Sequence, residues 1–385
     1  MNLFHPKRFR SHMDMAGKKN NIIFCFLYGD IAIDARVINF LTALSSNYKI
    51  HLITSQNTKK LVFPFKVTNL DLKHSFFNLC IFYMKCLFFL IQRKSQFIIC
   101  HDFYTSPISI ICKFFRKKVI LDCHELTFIP KQTQASIRAR IWNYIDRASI
   151  TKGDLTICAS SDRARLMKVI YGLNSLPIVL ENITSSRSYQ LKTNSEAFAP
   201  LKVIYQGSID FERGLMNFFQ PFTKLSKKAE LHIYGNGPNV SELTQWIKKH
   251  NINSIYYHGF VARSELNKIL QQMDIGIISY PYDGLNNIYC APNKLYDYLQ
   301  SGITILGSSQ PPISRVVKKY NVGMVIDYRH ESSYQIEKDI NFCIDHCRIH
   351  QENISHAIVS LDLELKRTNQ FSEIKKAIDI LNYSN

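Results

Sequence analysis

Several common protein classes are excluded by what this chain of 385 residues lacks. Its ten cysteines form no C-x-x-C pair, which argues against a zinc ribbon or a dithiol redox centre. Met1–Asn20 is basic and polar with no apolar core, so no secretory leader is expected. Scattered cysteines in such a chain imply a reduced cytosolic protein without disulfides. Glycine is sparse, and G-x-G-x-x-G is missing where a dinucleotide fingerprint would stand, since only Gly29 follows the first apolar run. No Ser-His-Asp or H-E-x-x-H spacing occurs, and no D-x-D pair points to a divalent cation; no metal and no cofactor are expected. The most apolar stretch, Phe76–Gln92, would be about 26 Å long as a helix, short of the roughly 30 Å hydrocarbon core, and Asn78 and Lys85 interrupt it. It is expected as a buried domain helix, the competing reading being one that also dips into a membrane interface beside Lys85, Arg93 and Lys94.

Acidic residues are scarce as well, 30 against 48 Lys and Arg, and the imbalance is uneven. Over residues 1–185 there are 26 basic and 11 acidic residues; over 186–385 there are 22 and 19. A cationic half beside a nearly neutral one suggests an anionic partner: lipid headgroups, a lipid-diphosphate acceptor or nucleic acid.

What is present is a series of short apolar runs alternating with helical periodicity. After a basic tail at 1–20, strands are expected at Ile22–Gly29, Lys49–Ser55, Phe97–Asp102, Lys118–Glu125, Leu155–Ser160 and Pro177–Ile183. His101–Asp102 and His124–Glu125 fall at strand exits, where open parallel sheets bind ligands. Ser185–Pro200 is polar and aperiodic and is expected to be a linker. A second series follows: Leu201–Gly207, a helix from Leu215 to about Leu225, the strand and turn AELHIYGNGP with Gly235 and Gly237, Ser254–Val261, Asp274–Tyr280, Thr304–Ser309 and Val322–Tyr328. Arg213 precedes one helix of this series. Asn286–Gly302 runs as a loop into another, with Pro292, Asn293 and Lys294 at its start and Gly302 past its end, so both helix starts are places for an anion. From Ser332 the chain reads as helical. An α/β protein of two doubly wound domains with a cleft between them results: residues 21–184, a linker at 185–200, residues 201–360, and a C-terminal helix at 361–385 packing back on the first domain.

The order of motifs resembles glycosyltransferase family 4, of GT-B fold, over roughly Ile22 to Asp327. YQGSIDFERGL looks like the opening of that family's donor domain, LHIYGNGP like its strand and turn, YYHGFVARSEL like its G-x-[VL] segment, and APNKLYDYLQSGITILGSS like its sugar-binding loop and helix. In the first half, DIAIDARV and VILDCHEL look like the D-x-R-[VI] and D-x-H-E elements of a subset of these enzymes.

The resemblance implies a retaining transfer of a sugar from a nucleotide sugar, a UDP-, GDP- or other sugar, to an acceptor hydroxyl. Arg213 and Lys294 would neutralise the donor diphosphate. Asp297 would hold the ribose hydroxyls, and Asn293 with the backbone at Ala291 and Pro292 would line the sugar pocket. Phe260, Val261 and the Gly235–Gly237 turn would flank the base, with Gly207 on the same edge. His124 would contact the transferring sugar or its phosphate, while Glu125 and Asp102 orient the acceptor and Asp34 and Arg36 stand on the acceptor side. Tyr289 occupies the place of the first acid of the family's E-x7-E pair, Asp297 is one methylene shorter than the second, and Ser208 stands where many members carry Arg.

With the basic first half, the expected acceptor is a glycan or lipid-linked glycan of surface-polysaccharide assembly. The expected location is cytoplasmic, peripheral on the inner face of an anionic membrane. Two other readings are distinguishable. A nonhydrolysing nucleotide-sugar epimerase shares the architecture but would act without acceptor. A basic nucleic-acid-binding protein would need aromatic and basic residues interleaved on a recognised module, and none is present, so nucleic acid is not an expected partner.

Overall fold

The computed structural model describes residues 22–92, 95–129, 136–183 and 200–383; the tail expected at 1–20 and nearly all of the linker at 185–200 lie outside them. Seven strands, β1 (Ile22–Asp30), β2 (Lys49–Gln56), β3 (Lys66–Asn69), β4 (Phe97–His101), β5 (Lys118–Cys123), β6 (Leu155–Cys158) and β7 (Ile178–Val179), form one sheet in the order β3-β2-β1-β4-β5-β6-β7. Six more, β8 (Leu201–Gln206), β9 (Ala229–Tyr234), β10 (Ile255–Gly259), β11 (Ile275–Ile278), β12 (Thr304–Ser308) and β13 (Gly323–Ile326), form a second in the order β10-β9-β8-β11-β12-β13, every pair parallel.

Parallel sheets are covered by helices on both faces, which is why their strands are near-continuous apolar runs rather than alternating ones. Ile23–Tyr28 of β1 and all of β11 are buried. One face of the second sheet packs Tyr205, Phe218, Phe219, Phe222 and Leu231 with Ile340 and Cys343; the other packs Ile204, Leu270, Tyr298, Leu299 and Ile305 with Ile354. In each sheet the order of strands reverses beside the first strand of the series, at β1/β4 and at β8/β11. The crevice past those strand ends is where such sheets take ligands.

Some elements differ from the sequence expectation for identifiable reasons. The helix after Gly214 stays α-helical only over Leu215–Phe219 and tightens into a 3-10 turn at Gln220–Thr223, because Pro221 cannot donate to the preceding turn. The terminal helical region breaks into Ser333–Asp345, Cys347–Leu361 and Leu363–Tyr383. Phe76–Gln92 is one helix, but it is buried on one stripe only. Leu79, Phe82, Cys86 and Leu90 are in the core, while Phe76, Phe77, Met84, Phe88 and Ile91 are each more than half exposed. No described helix is long and apolar enough to cross a membrane.

By contacts the chain falls into two compact units. One compact unit holds the described chain to His124, Tyr144–Thr156 and the stretch from Lys375; the other holds Glu125–Asn143 and Ile157–Ile374. Ile157–Ile183 groups with the second unit because polar side chains bind it there: Arg163 to the backbone oxygens of Asn286 and Tyr289, Tyr296 to Glu181, and Asn182 to the oxygen of Ala291. The last helix ends in the first unit, where Tyr48 donates to Asp379 and Lys375 to Asn47.

Candidate functional site

Two clusters of functional side chains stand at strand exits, one in each unit. In the first unit, β5 carries Asp122 next to its last residue, and Asp122 is fully buried. A buried carboxylate requires partners, and three converge on it. Arg36, from the first turn of helix Ala35–Ser45, reaches its Oδ1 at 2.5 Å. His101 Nδ1 lies 3.0 Å and His124 Nε2 3.1 Å from its Oδ2. The other ring nitrogen of His124 faces Asp34 Oδ2 at 3.8 Å, and Asp34 also caps the helix by accepting from the Val37 N–H. Asp102 leaves β4 with φ of +63°, a conformation uncommon outside glycine.

The electrostatics separate the two histidines. Burial alone pulls His124 down, but Asp122 outweighs it, with Asp102 and Asp34 adding, and its pKa rises to about 9. His101 is lowered by burial, which Asp122 only partly offsets. Its Nε2 is buried with no hydrogen-bond partner among the described residues, as suits a neutral ring donating from Nδ1. Burial would raise Asp122, yet Arg36 and the histidines hold it well below the ordinary carboxylate range. His124 is therefore an imidazolium at neutral pH, able to offer positive charge and donors but not to act as a base. His101, Asp122 and His124 have ligand atoms close enough together to surround a cation. Asp122 Oδ2 already takes both rings, however, and Arg36 on the same carboxylate opposes a further positive charge.

In the second unit, Lys294 stands in the first turn of helix Asn293–Gln300, which follows Pro292 and ends before Gly302 at φ +67°. Its Nζ lies 4.5 Å above the ring of Tyr205, itself buried on β8. Arg213 closes the 3-10 turn Phe211–Arg213 after β8, its guanidinium 5.3 Å from the Tyr280 ring and its Nε buried without a hydrogen bond. Its backbone oxygen is held by Ser279 at the end of β11. Neither Lys294 nor Arg213 has a carboxylate partner among the described ion pairs. Burial, aided by repulsion from Arg213, lowers Lys294 to about 7. Arg213 and Lys294 thus stand near one another beyond β8 and β11 with no carboxylate paired to either among the described ion pairs.

The glycines around it are structural necessities. Gly207, at φ +136°, passes so close to Lys294 that a Cβ would sit 2.8 Å from Nζ, and a Cβ on Gly235 would collide with the Gly207 carbonyl. That close approach lets Gly207 donate to Tyr234 at 2.9 Å, joining the β8 and β9 exits. Val261 is half-buried and Phe260 exposed just past β10. Asn293 is exposed, and Ala291 accepts from Asn182.

Asp297 differs from expectation. It is fully buried, and Arg263 holds its two oxygens at 2.7 and 2.5 Å, so its carboxylate anchors Arg263 rather than standing open to a ribose. Arg36 is a part-buried partner of Asp122. Glu125 is exposed beside His124 in the chain. Tyr289 keeps its loop through its backbone oxygen, which accepts from Arg163 at 2.8 Å. Arg163, Arg263 and Asp122 carry these arrangements and were not singled out by sequence. Asp122 lies within the D-x-H-E element, whereas Arg163 and Arg263 sit on helical faces with no local signature.

Residues 200–338 match the family model described as glycosyl transferases group 1. No curated protein matches the chain in sequence. Among solved structures it is similar to WaaG, a glycosyltransferase involved in lipopolysaccharide biosynthesis, with TM-score 0.66 at 13% identity, covering 94% of this chain and 100% of that one. It is also similar to HepE of Anabaena in complex with UDP, with TM-score 0.70 at 13% identity, covering 93% and 99%. The lipopolysaccharide outer core galactosyltransferase WaaB gives TM-score 0.65 at 15% identity, covering 93% and 99%. Over the described residues the two sheets are those of the GT-B fold.

Proposed function

We propose that this chain, whose residues 200–338 match the group 1 glycosyl transferase model and whose sheets are those of the GT-B fold, is a glycosyltransferase that moves a sugar from UDP to an acceptor hydroxyl on a lipid-linked glycan, with retention. The observation that carries this is the pair Arg213 and Lys294, two cations with no carboxylate partner among the described ion pairs, at the exits of β8 and β11. Charge develops on the leaving diphosphate, and fixed cations there stabilise the transition state more than the ground state. UDP is favoured because HepE is held with UDP and with UDP-glucose in a similar fold. Lys294, its pKa lowered to about 7 by burial and by Arg213, becomes fully protonated when the diphosphate arrives. In the other unit His124, kept cationic by Asp122, offers positive charge and hydrogen-bond donors at the exit of β5, and the donor phosphate takes the acceptor proton. No metal is required in this scheme.

A surface-polysaccharide role on an anionic membrane is supported by the basic first half and by the outward stripe Phe77, Met84, Phe88 and Ile91, which lies beside Lys85 on the same helix. WaaG and WaaB, of similar fold, act in lipopolysaccharide assembly by their descriptions. Thermal shift against UDP, GDP and their sugars tests the donor: UDP should raise Tm in the natural protein and not in Lys294→Ala. Equal shifts in both would overturn the site. Chelation with EDTA should leave turnover unchanged, and product formation should require an acceptor, which sets transfer apart from epimerisation.

A further inference from the structure

The second unit carries a crevice of about 590 Å³ that the donor site does not use. It lies where β9 and β10 begin, at the end of the sheet opposite to the exits that hold Arg213 and Lys294. Its volume is within the range of small-ligand sites, about 300–1,000 Å³. One wall is the 3-10 turn Gln220–Thr223 and the loop after it; a second is the end of helix Val240–Lys249 with the loop into β10; a third is the start of helix Ser333–Asp345. The walls are tied together. Ser254 donates to the Phe222 oxygen at 2.8 Å, and Lys224 pairs with Glu337 at 2.7 Å.

The lining chemistry is specific in kind. Trp246 rests partly against the core and also lines the crevice. Gln220, Asn251 and Asn253 line it and are exposed, and none of the three side chains makes a hydrogen bond among the described residues. Lys224 and Glu337 cancel in their ion pair, and His250 lines the crevice beside Trp246, its Nδ1 2.9 Å from the Trp246 backbone oxygen. Amides that offer both donor and acceptor, beside an indole face and without net charge, match a polyhydroxylated neutral ring. Hydroxyls pair with amides, and the C–H face of the ring lies on the aromatic. A nucleotide or phosphate would find the lining lysine already paired with Glu337.

We propose that this crevice is a second, non-catalytic site for an uncharged glycan, holding a segment of the polymer on which the enzyme works. The proposal rests on the glycosyltransferase reading for its relevance but on the crevice alone for its chemistry.

The chain has two tryptophans, so Trp142→Phe leaves Trp246 as the sole indole reporter. Maltohexaose, cellohexaose and chitohexaose are titrated into that variant, and saturation-transfer NMR on the natural full chain repeats the measurement without any substitution. At least one hexaose should change Trp246 emission, with half-saturation on the order of 1 mM. Gln220→Ala with Asn253→Ala, both exposed positions, should weaken it by ~5-fold or more. Lys294→Ala should leave it unchanged. If no hexaose binds, if the double variant binds as well as the natural chain, or if a tryptic peptide mixture competes for the site, the proposal is overturned. A UDP thermal shift measured in parallel separates the two readings: its retention when hexaose binding fails removes the crevice alone, and its loss removes the donor site.

Discussion

The Asp122 cluster and the Lys294 cluster are built from similar parts and have opposite charge balance. At Asp122 one buried carboxylate is shared by an arginine and two histidines, with Asp34 near. At Lys294 a lysine and an arginine lie against tyrosine rings with no carboxylate paired to either among the described residues. A saturated network spends its electrostatic energy on itself: it fixes a ring and sets that ring's protonation. An unsaturated one keeps its field for whatever anion arrives, and its depressed lysine records the cost of waiting. Positioning and binding are thus separable in this chain, and each can be removed on its own.

The largest effect should come from Asp122→Asn. Arg36 and His124 would lose the anion that justifies their burial, and breaking such a pair costs about 3–5 kcal/mol. Urea unfolding measures it, and NMR titration of His124 should show its pKa falling back towards the ordinary range. Loss of stability below about 1 kcal/mol would mean that the network is not saturated as described. At the other cluster, Arg213→Ala and Lys294→Ala should each lower turnover by about 10²–10³. Lys294→Ala should do so without lowering Tm, since it removes a charge that folding disfavours. A Tm fall matching the loss of turnover would make Lys294 structural and erase the contrast.

The pH dependence of stability should carry both signatures with opposite sign. His124, raised to about 9, contributes stability that is whole below about 6.5 and is lost as pH climbs through 9. Lys294, lowered to about 7, leaves the unfolded state holding an extra proton between about 7 and 10.4, so its term rises with pH across that window. Between pH 7 and 9 they oppose each other. Tm should therefore climb with pH in His124→Gln and decline in Lys294→Met. UDP binding at pH 8 should take up a proton in the natural protein, read by calorimetry in buffers of different ionisation enthalpy. Buffer-independent heats would show that Lys294 is already charged.

How much of this was legible beforehand follows from where the information sits. Strand runs such as IIFCFLYGD and DIGIISY are apolar because both sheet faces are covered, so the alternation of strands and helices was readable locally. Lys294 and Arg213 were readable because each opens or precedes a helix next to a turn signal. Their missing carboxylate partner was not, since it depends on the fold bringing β8 and β11 together. Arg263 and Asp297 are 34 residues apart and meet only through packing, so an acid expected to hold a ribose is occupied by a cation that no local pattern marks. The helix Phe76–Gln92 misled in another way. Apolarity all round reads as burial, yet its outward stripe stays exposed.

The smallest effect is the most discriminating. Asp297 stands one turn along the helix from Lys294, on the same face, and Arg263 neutralises it. Arg263→Ala would free the buried carboxylate to act on Lys294, turning the unsaturated cluster part of the way towards the saturated one. Lys294 should regain its proton, and UDP affinity should fall about threefold to tenfold through the lost positive charge. Asp297→Asn should act with the opposite sign, releasing the Arg263 charge to the site and tightening UDP, and the double variant should return towards the natural affinity. If both single variants weakened UDP alike, the pair would be a structural tie and charge balance would not set donor binding. Opposite signs that cancel in the double variant can come only from the field at Lys294, because a purely structural tie has no sign to reverse.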